Sequence, residues 1–226
     1  MNSIGDGYFL IDKPAGWTSF DCVHFLKHFY GFKKAGHAGS LDPIATGLMV
    51  ILVNGATKWF DALQKHPKIY ETRLLLGVSF DTQDITGVVT ELRQPETEPS
   101  EGLVREALQT FVGETMQIPP AYSALKVHGK PAYAYARQGE MLTLPGRPVF
   151  IHKIKLLHYR FPEISFHLEC NKGFYVRTLC FDLALKLGTA GVLCSLKRLA
   201  QSGHTVQEAL SLEQLPENIA PHLKTL

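Results

Sequence analysis

Apolar positions along this 226-residue chain switch between two periods. Residues 8–12 (YFLID) and 49–53 (MVILV) are short apolar runs that predict strands, the second one buried. Residues 19–31, SFDCVHFLKHFYG, follow the helical period. Apolar side chains at 22, 25, 26, 29 and 30 share one face, Ser19 stands at the N-cap and Gly31 ends the segment. Residues 56–65 predict a helix and residues 70–76 a strand, and the turn DTQDITG leads to a short strand near Val88. The polar connector QPETEPS precedes an amphipathic helix over 101–111, ended at Gly113. Ile118-Pro119-Pro120 is extended by proline constraint. Strands over 149–159 and 164–171 flank a turn at PEIS, a helix follows over 175–187, then a strand over 193–200 and a last helix over 206–215.

Strands and helices mixed without regular βα alternation argue for an α+β domain. Residues 129–147 interleave helix-compatible and turn-forming residues, and are a candidate mobile insertion. The length suits one large domain or two small ones with a substantial core.

Composition adds limits. Hydrophobic residues make up 45 % and charged residues 19 %, ordinary for a globular chain. No apolar run approaches the roughly 20 residues that span a bilayer. The first 14 residues lack a charged n-region and a long h-region, so a cytoplasmic protein is expected. Cysteines 22, 170, 180 and 194 form no CxxC pair and no zinc spacing, which predicts core thiols and no metal site. Net charge is only +2. Residues 27–34 carry three lysines and no acid, whereas residues 91–106 carry five glutamates against two arginines and should face away from a polyanion. Nothing calls for an obligate interface, so a monomer is expected.

The chemistry concentrates in GHAGSLDPIATG, residues 36–47. It sets one carboxylate, Asp42, among glycines and small residues, five positions after His37. Pro43 pushes Asp42 out of the α region, and glycines at 36, 39 and 47 allow positive φ or close approach of a ligand. Such a loop against a buried strand aims one side chain at a substrate. An Asp-Pro turn in which Asp42 caps a backbone N–H is the plainer alternative.

In chain order with LIDKPAGWTS (10–19), KIYE (68–71), YSALKVHGKPAYAYAR (122–137) and KGFYVRTL (172–179), this stretch closely resembles the TruB family, pseudouridine synthases that act on the T arm of transfer RNA. The resemblance implies the pseudouridine synthase fold over residues 1–212. This is α+β, a mixed and mostly antiparallel sheet with flanking helices and a central RNA-binding cleft. Residues 213–226 are then a tail, without the full C-terminal PUA domain that members commonly add, which implies weaker tRNA binding. It further implies isomerisation of a T-loop uridine, uridine-55, by flipping the base, breaking its glycosidic bond and rejoining it through C5. No cofactor, metal or ATP is required.

By match to the family motifs, Asp42 is the catalytic aspartate, and Arg177 pairs with it and holds it ionised. On residue grounds alone Arg177 is equally a structural ion pair or a phosphate contact. Tyr70 matches a tyrosine that stacks on the target base and helps remove the C5 proton; an isolated strand tyrosine is otherwise a core residue. His37 matches a histidine against the flipped RNA. Lys172 and Tyr175 are expected at the base or a phosphate. Lys13 belongs to an RNA-binding motif whose plainer role is a turn shaping the cleft floor. Lys126 and Lys130, with Tyr133 and Tyr135, interleave cations and aromatics as a single-stranded RNA surface does, although tyrosines two apart also fit alternating strand positions. The chain departs from the family pattern at Ala38, where threonine is frequent, and at Lys197, where a second arginine is common. Two rivals stand against the enzyme. A non-catalytic RNA-folding module would not need both Asp42 and Arg177. An N-glycosidase or aspartyl phosphotransferase would want further acidic groups, which the loop lacks.

Overall fold

The computed structural model describes residues 4–140 and 142–226. Along the chain the elements are β1 (Gly7–Lys13), α1 (Ser19–Tyr30), β2 (Ala35–His37), β3 (Thr46–Val53), β4 (Lys68–Leu76), β5 (Val78–Phe80), β6 (Val89–Leu92), α2 (Glu101–Gln109) and β7 (Gly113–Gln117). A short hairpin, β8 (Lys126–Val127) with β9 (Lys130–Pro131), precedes α3 (Ala132–Ala136) and the long strands β10 (Arg147–Arg160) and β11 (Glu163–Cys170). The chain continues through α4 (Val176–Lys186), β12 (Gly191–Gln201), β13 (His204–Thr205) and β14 (Leu210–Ser211). It divides into two compact units, residues 4–71 with 196–226 and residues 72–195, passing from one to the other within β4 and back within β12.

Unit 1 is built around β3, whose residues 47–53 are all buried. A strand covered on both faces reads as a continuous apolar run, which is what LMVILV supplies. Antiparallel β1 pairs with it from Gly7–Val53 to Lys13–Gly47, and β12 runs parallel to its start through Lys197–Thr46 and Arg198–Gly47. Tyr8, Leu10, Leu48, Val50, Leu52, Leu63 and Val206 fill one face, each fully buried side chain contributing about 1.5–3 kcal/mol. Helix α1 starts with a capping box: Thr18 Oγ1 accepts from Asp21 N–H and the Asp21 carboxylate accepts from Thr18 N–H.

In unit 2, β11 alternates strictly, with Ile164, Phe166, Leu168 and Cys170 buried between half-buried neighbours. It pairs antiparallel with β10, which carries two bulges, and β10 pairs antiparallel with β7. Helix α2 packs its buried Val104, Ala107 and Leu108 toward β10 and α4.

Three sequence expectations are corrected. The cap of α1 is Thr18, which leaves the Ser19 hydroxyl for another task, and Phe29 stands 57 % exposed off the predicted apolar face. Residues 56–65 form 3₁₀ turns (Asn54–Trp59, Ala62–Gln64), because Ala56 and Leu63 are the main apolar anchors and too few to favour a full helix. Residues 206–215 likewise form only 3₁₀ turns (Val206–Glu208, Leu212–Gln214) about a short strand: Leu210 and Ser211 pair with Ile11 and Asp12, so the open edge of β1 claims their backbone. The candidate insertion at 129–147 contains β9 and α3, and residue 141 lies outside the described residues.

Candidate active site

Asp42 is half-buried at the tip of a loop whose backbone is held from every side. Both sides of Leu41 are taken by Ser19, whose Oγ accepts from Leu41 N–H at 2.7 Å and donates to Leu41 O at 2.9 Å. The Ala38 carbonyl accepts from the amides of Gln64 and Gln201, and Ala38 N–H donates to Val50 O at 2.9 Å. Behind the aspartate, Gly16 N–H reaches Pro43 O at 2.8 Å, and Ala45 N–H closes a turn on Asp42 O at 3.0 Å. Buried amides and hydroxyls that satisfy carbonyls in this way fix a loop that has no regular structure of its own.

Lys13 is fully buried, its ammonium donating to the carbonyls of Trp17 (2.6 Å), Pro14 (2.8 Å) and Pro43 (3.3 Å). Desolvation pushes its pKa below the usual lysine value, and the Cys22 thiol and Asp42 carboxylate act against that shift. An ammonium engaged this way ties the KPAGW turn to the Asp42 loop. That is the loop-shaping position the sequence allowed for Lys13.

His37 ends β2, opposite Ile51 of β3. Burial, and then the positive charge of Arg198, lower its pKa. Tyr70 is buried in β4. Arg198 is the residue that sequence reasoning missed. Its Nε donates to Leu48 O (2.6 Å), Nη1 to Ser40 O (3.2 Å) and Nη2 to Gly39 O (3.1 Å). The available signal was its register: in β12 Leu196 and Arg198 both face inward, and an arginine at a core position of an apolar strand is an anomaly that asks for a reason. Unit 1 therefore brings Lys13, His37, Asp42 and Tyr70 onto one framework of β1, β2, β3, β4 and β12.

In unit 2, Arg177 lies in the first turn of α4, and its side chain is 4 % exposed. Nη1 donates to Thr82 O at 2.7 Å, Nη2 donates to Tyr122 O at 2.9 Å, and Nη1 lies 3.8 Å from the buried Asp84 carboxylate. Asp84 also accepts from Thr82 Oγ1, Thr86 N–H and Thr86 Oγ1, so the DTQDIT turn is folded about it. The loop before Arg177 is clamped twice. Gln117 accepts from Tyr175 N–H at 2.8 Å and donates to Tyr175 O at 2.9 Å. The Arg147 guanidinium stands 4.9 Å over the Tyr175 ring and donates to Gly173 O. Lys126, Lys130 and Lys172 are exposed. Tyr133 and Tyr135 lie in the short helix α3 and not at alternating strand positions. Among the described residues no group of three His, Cys, Asp or Glu side chains gathers as a metal site, and no helix is long and apolar enough to cross a membrane.

Residues 27–176, which carry the Asp42 loop, Tyr70 and the Lys126–Lys130 hairpin, match the sequence profile of the TruB family pseudouridylate synthase (N terminal domain). The chain belongs to the TruB family. It is 42 % identical over 212 residues to the tRNA pseudouridine synthase B of Syntrophus aciditrophicus (strain SB), a match that covers 94 % of this chain and 67 % of that one. A protein of the same name from Burkholderia pseudomallei (strain 668) is 42 % identical over 210 residues, covering 93 % and 69 %. The fold agrees as well. A chain in the crystal structure of a Cbf5-Nop10-Gar1 complex superposes with a TM-score of 0.73 at 24 % identity, over 94 % of this chain and 54 % of that one. The α+β pseudouridine synthase fold expected for a TruB chain, a mixed and mostly antiparallel sheet with flanking helices, is thus the fold found.

Proposed function

We propose that this chain is a tRNA pseudouridine synthase, an isomerase that converts the uridine at T-loop position 55 to pseudouridine in the cytoplasm. The observation that carries the reading is 42 % identity to a tRNA pseudouridine synthase B sustained over 94 % of the chain. The rigidly tethered carboxylate at Asp42 supports it.

The C1′–N1 bond of the flipped uridine breaks, the base turns, C5 bonds to C1′ and the C5 proton leaves. The carboxylate of Asp42 acts as nucleophile or as the negative charge that stabilises C1′. Its fixed backbone limits the motion that must be frozen in the transition state. Tyr70 assists at the base and in removal of the C5 proton. Arg177, a permanent cation, favours the ionised carboxylate. His37, Lys126, Lys130, Lys172 and Tyr175 contact RNA. Residues 1–212 form the catalytic part, with 213–226 as a tail, and the chain works as a monomer with no cofactor.

The test is an unmodified tRNA transcript tritiated at the C5 positions of its uridines. Release of label mapped to position 55 is expected from the wild type. For Asp42→Asn, turnover falls by about 10³-fold or more while tRNA binding persists. Label release by Asp42→Asn near the wild-type rate removes the aspartate from its role. Wild-type binding without release favours an RNA-folding module instead.

A further inference from the structure

Arg198 is the largest fully buried side chain of the described residues. Taking a guanidinium out of water costs several kcal/mol unless its charge and its donors are compensated. Among the described residues no carboxylate pairs with it. Its hydrogen-bond partners are the carbonyls of Leu48, Ser40 and Gly39. An apolar side chain of similar volume would fill the same core without the desolvation cost, but would leave three carbonyls unpaired.

The distribution of those partners carries the argument. Leu48 lies in β3, just after the Asp42 loop. Gly39 and Ser40 stand three and two residues before Asp42. One planar group of fixed geometry therefore ties the loop that carries the carboxylate to the start of β3. The backbone of Arg198 is as closely fitted as its side chain: a Cβ on Gly47 would lie 2.3 Å from Arg198 O. Lysine would supply the charge without the fork that reaches separate carbonyls at once.

We infer that Arg198 is a positioning residue for the isomerisation, holding the Asp42 loop in its geometry through a single buried guanidinium that bonds Gly39, Ser40 and Leu48. It touches neither substrate nor reacting atoms. The inference rests on the reading of Asp42 as a participant in the reaction.

The test compares full-length wild type, Arg198→Lys and Arg198→Met. Three quantities are measured on folded protein: thermal midpoint, tRNA dissociation constant by filter binding, and single-turnover release of tritium from the C5-labelled transcript. A positioning role predicts that Arg198→Met slows the single turnover about 10²-fold, the scale of a misplacement near 1 Å. The dissociation constant should stay within about threefold, and Arg198→Lys should recover part of the rate because it keeps the charge. A wild-type rate in either folded variant overturns the inference. So does a parallel fall of binding and rate, and so does failure of both variants to fold, each of which makes Arg198 a framework residue only. A wild type that binds tRNA without turnover removes the proposed function, and this inference with it; wild-type turnover with unaffected variants removes the inference alone.

Discussion

Around Asp42 in unit 1 the backbone is held by side chains, whereas in unit 2 the side chain of Arg177 is held by backbone. Ser19, Lys13, Gln64, Gln201 and Arg198 grip carbonyls and amides from Ala38 to Pro43. Arg177 instead spends its own donors on Thr82 O and Tyr122 O. The difference separates two kinds of functional residue. At 42 these hydrogen bonds end on backbone atoms, so they persist when the side chain is replaced. At 177 chemistry and stability are coupled, because replacing the arginine also strips partners from the DTQDIT turn and leaves the buried Asp84 with less positive charge nearby.

The sharpest way to break this comparison is to disturb one glycine in each region. Gly47 has φ +98°, and an added methyl would meet the Arg198 backbone oxygen at 2.3 Å and its nitrogen at 2.7 Å. Neither β3 nor β12 can yield without losing register. Gly47→Ala is expected to cost more than about 4 kcal/mol, lowering the thermal midpoint by about 10 °C or more. Gly173, in the loop before Arg177, has φ +83°, but its nearest neighbour is the flexible end of Arg147 at 3.6 Å. There only the left-handed backbone is strained, by about 1–2 kcal/mol. Calorimetry on the two variants decides the matter: equal shifts would mean that the Asp42 loop is no more tightly framed than the other.

A milder contrast sets Ser19 against Gln117, two side chains that each bond both the N–H and the C=O of one residue. Ser19→Ala strands the buried backbone of Leu41 and should cost about 1–3 kcal/mol. It should also slow single turnover roughly tenfold, because Leu41 adjoins the carboxylate. Gln117→Leu strands Tyr175 at a similar cost in stability, and its kinetic effect should appear as weaker tRNA binding at an unchanged maximal rate. Urea unfolding and single-turnover kinetics check both. A Gln117→Leu variant that loses rate but not affinity would erase the distinction.

Much of this arrangement was legible in residues. The apolar run of β3, the alternation of β11 and the helical faces of α2 and α4 announce themselves, because each is a local period matched by burial. The Asp42 loop stood out through Pro43 and its glycines. What holds the loop did not. Ser19 reads as a helix cap, yet Thr18 one residue earlier satisfies the helix and frees it. Gln64, Gln201 and Arg198 lie 22 to 159 residues from Asp42, and their partners are backbone atoms, which carry no sequence signal. The expected helix over 206–215 failed for a related reason: pairing with β1 is a long-range event that local pattern cannot reveal.

The smallest effect concerns a third kind of fastening, made at the surface. Glu208 accepts from Thr205 N–H at 2.8 Å and meets His204 at 3.2 Å and Lys224 at 3.3 Å, while Lys224 pairs its backbone with Tyr8 of β1. The Thr205 amide first, and then the His204 and Lys224 side chains, bring its pKa down to about 2. A carboxyl depressed in the folded state binds fewer protons there than in the unfolded chain. Its contribution is therefore complete above the ordinary carboxyl value and is lost as the pH falls through about 2. The side chain is 40 % exposed, so solvent screening holds that contribution below about 1 kcal/mol. Glu208→Gln should lower the thermal midpoint by no more than about 3 °C at pH 7, and the gap to wild type should close as the pH approaches 2. A gap that persists in strong acid would show that the glutamate acts through packing and neutral hydrogen bonds. The surface clip would then resemble the buried grip on the Asp42 loop, where the partners are neutral carbonyls and acidification leaves them in place.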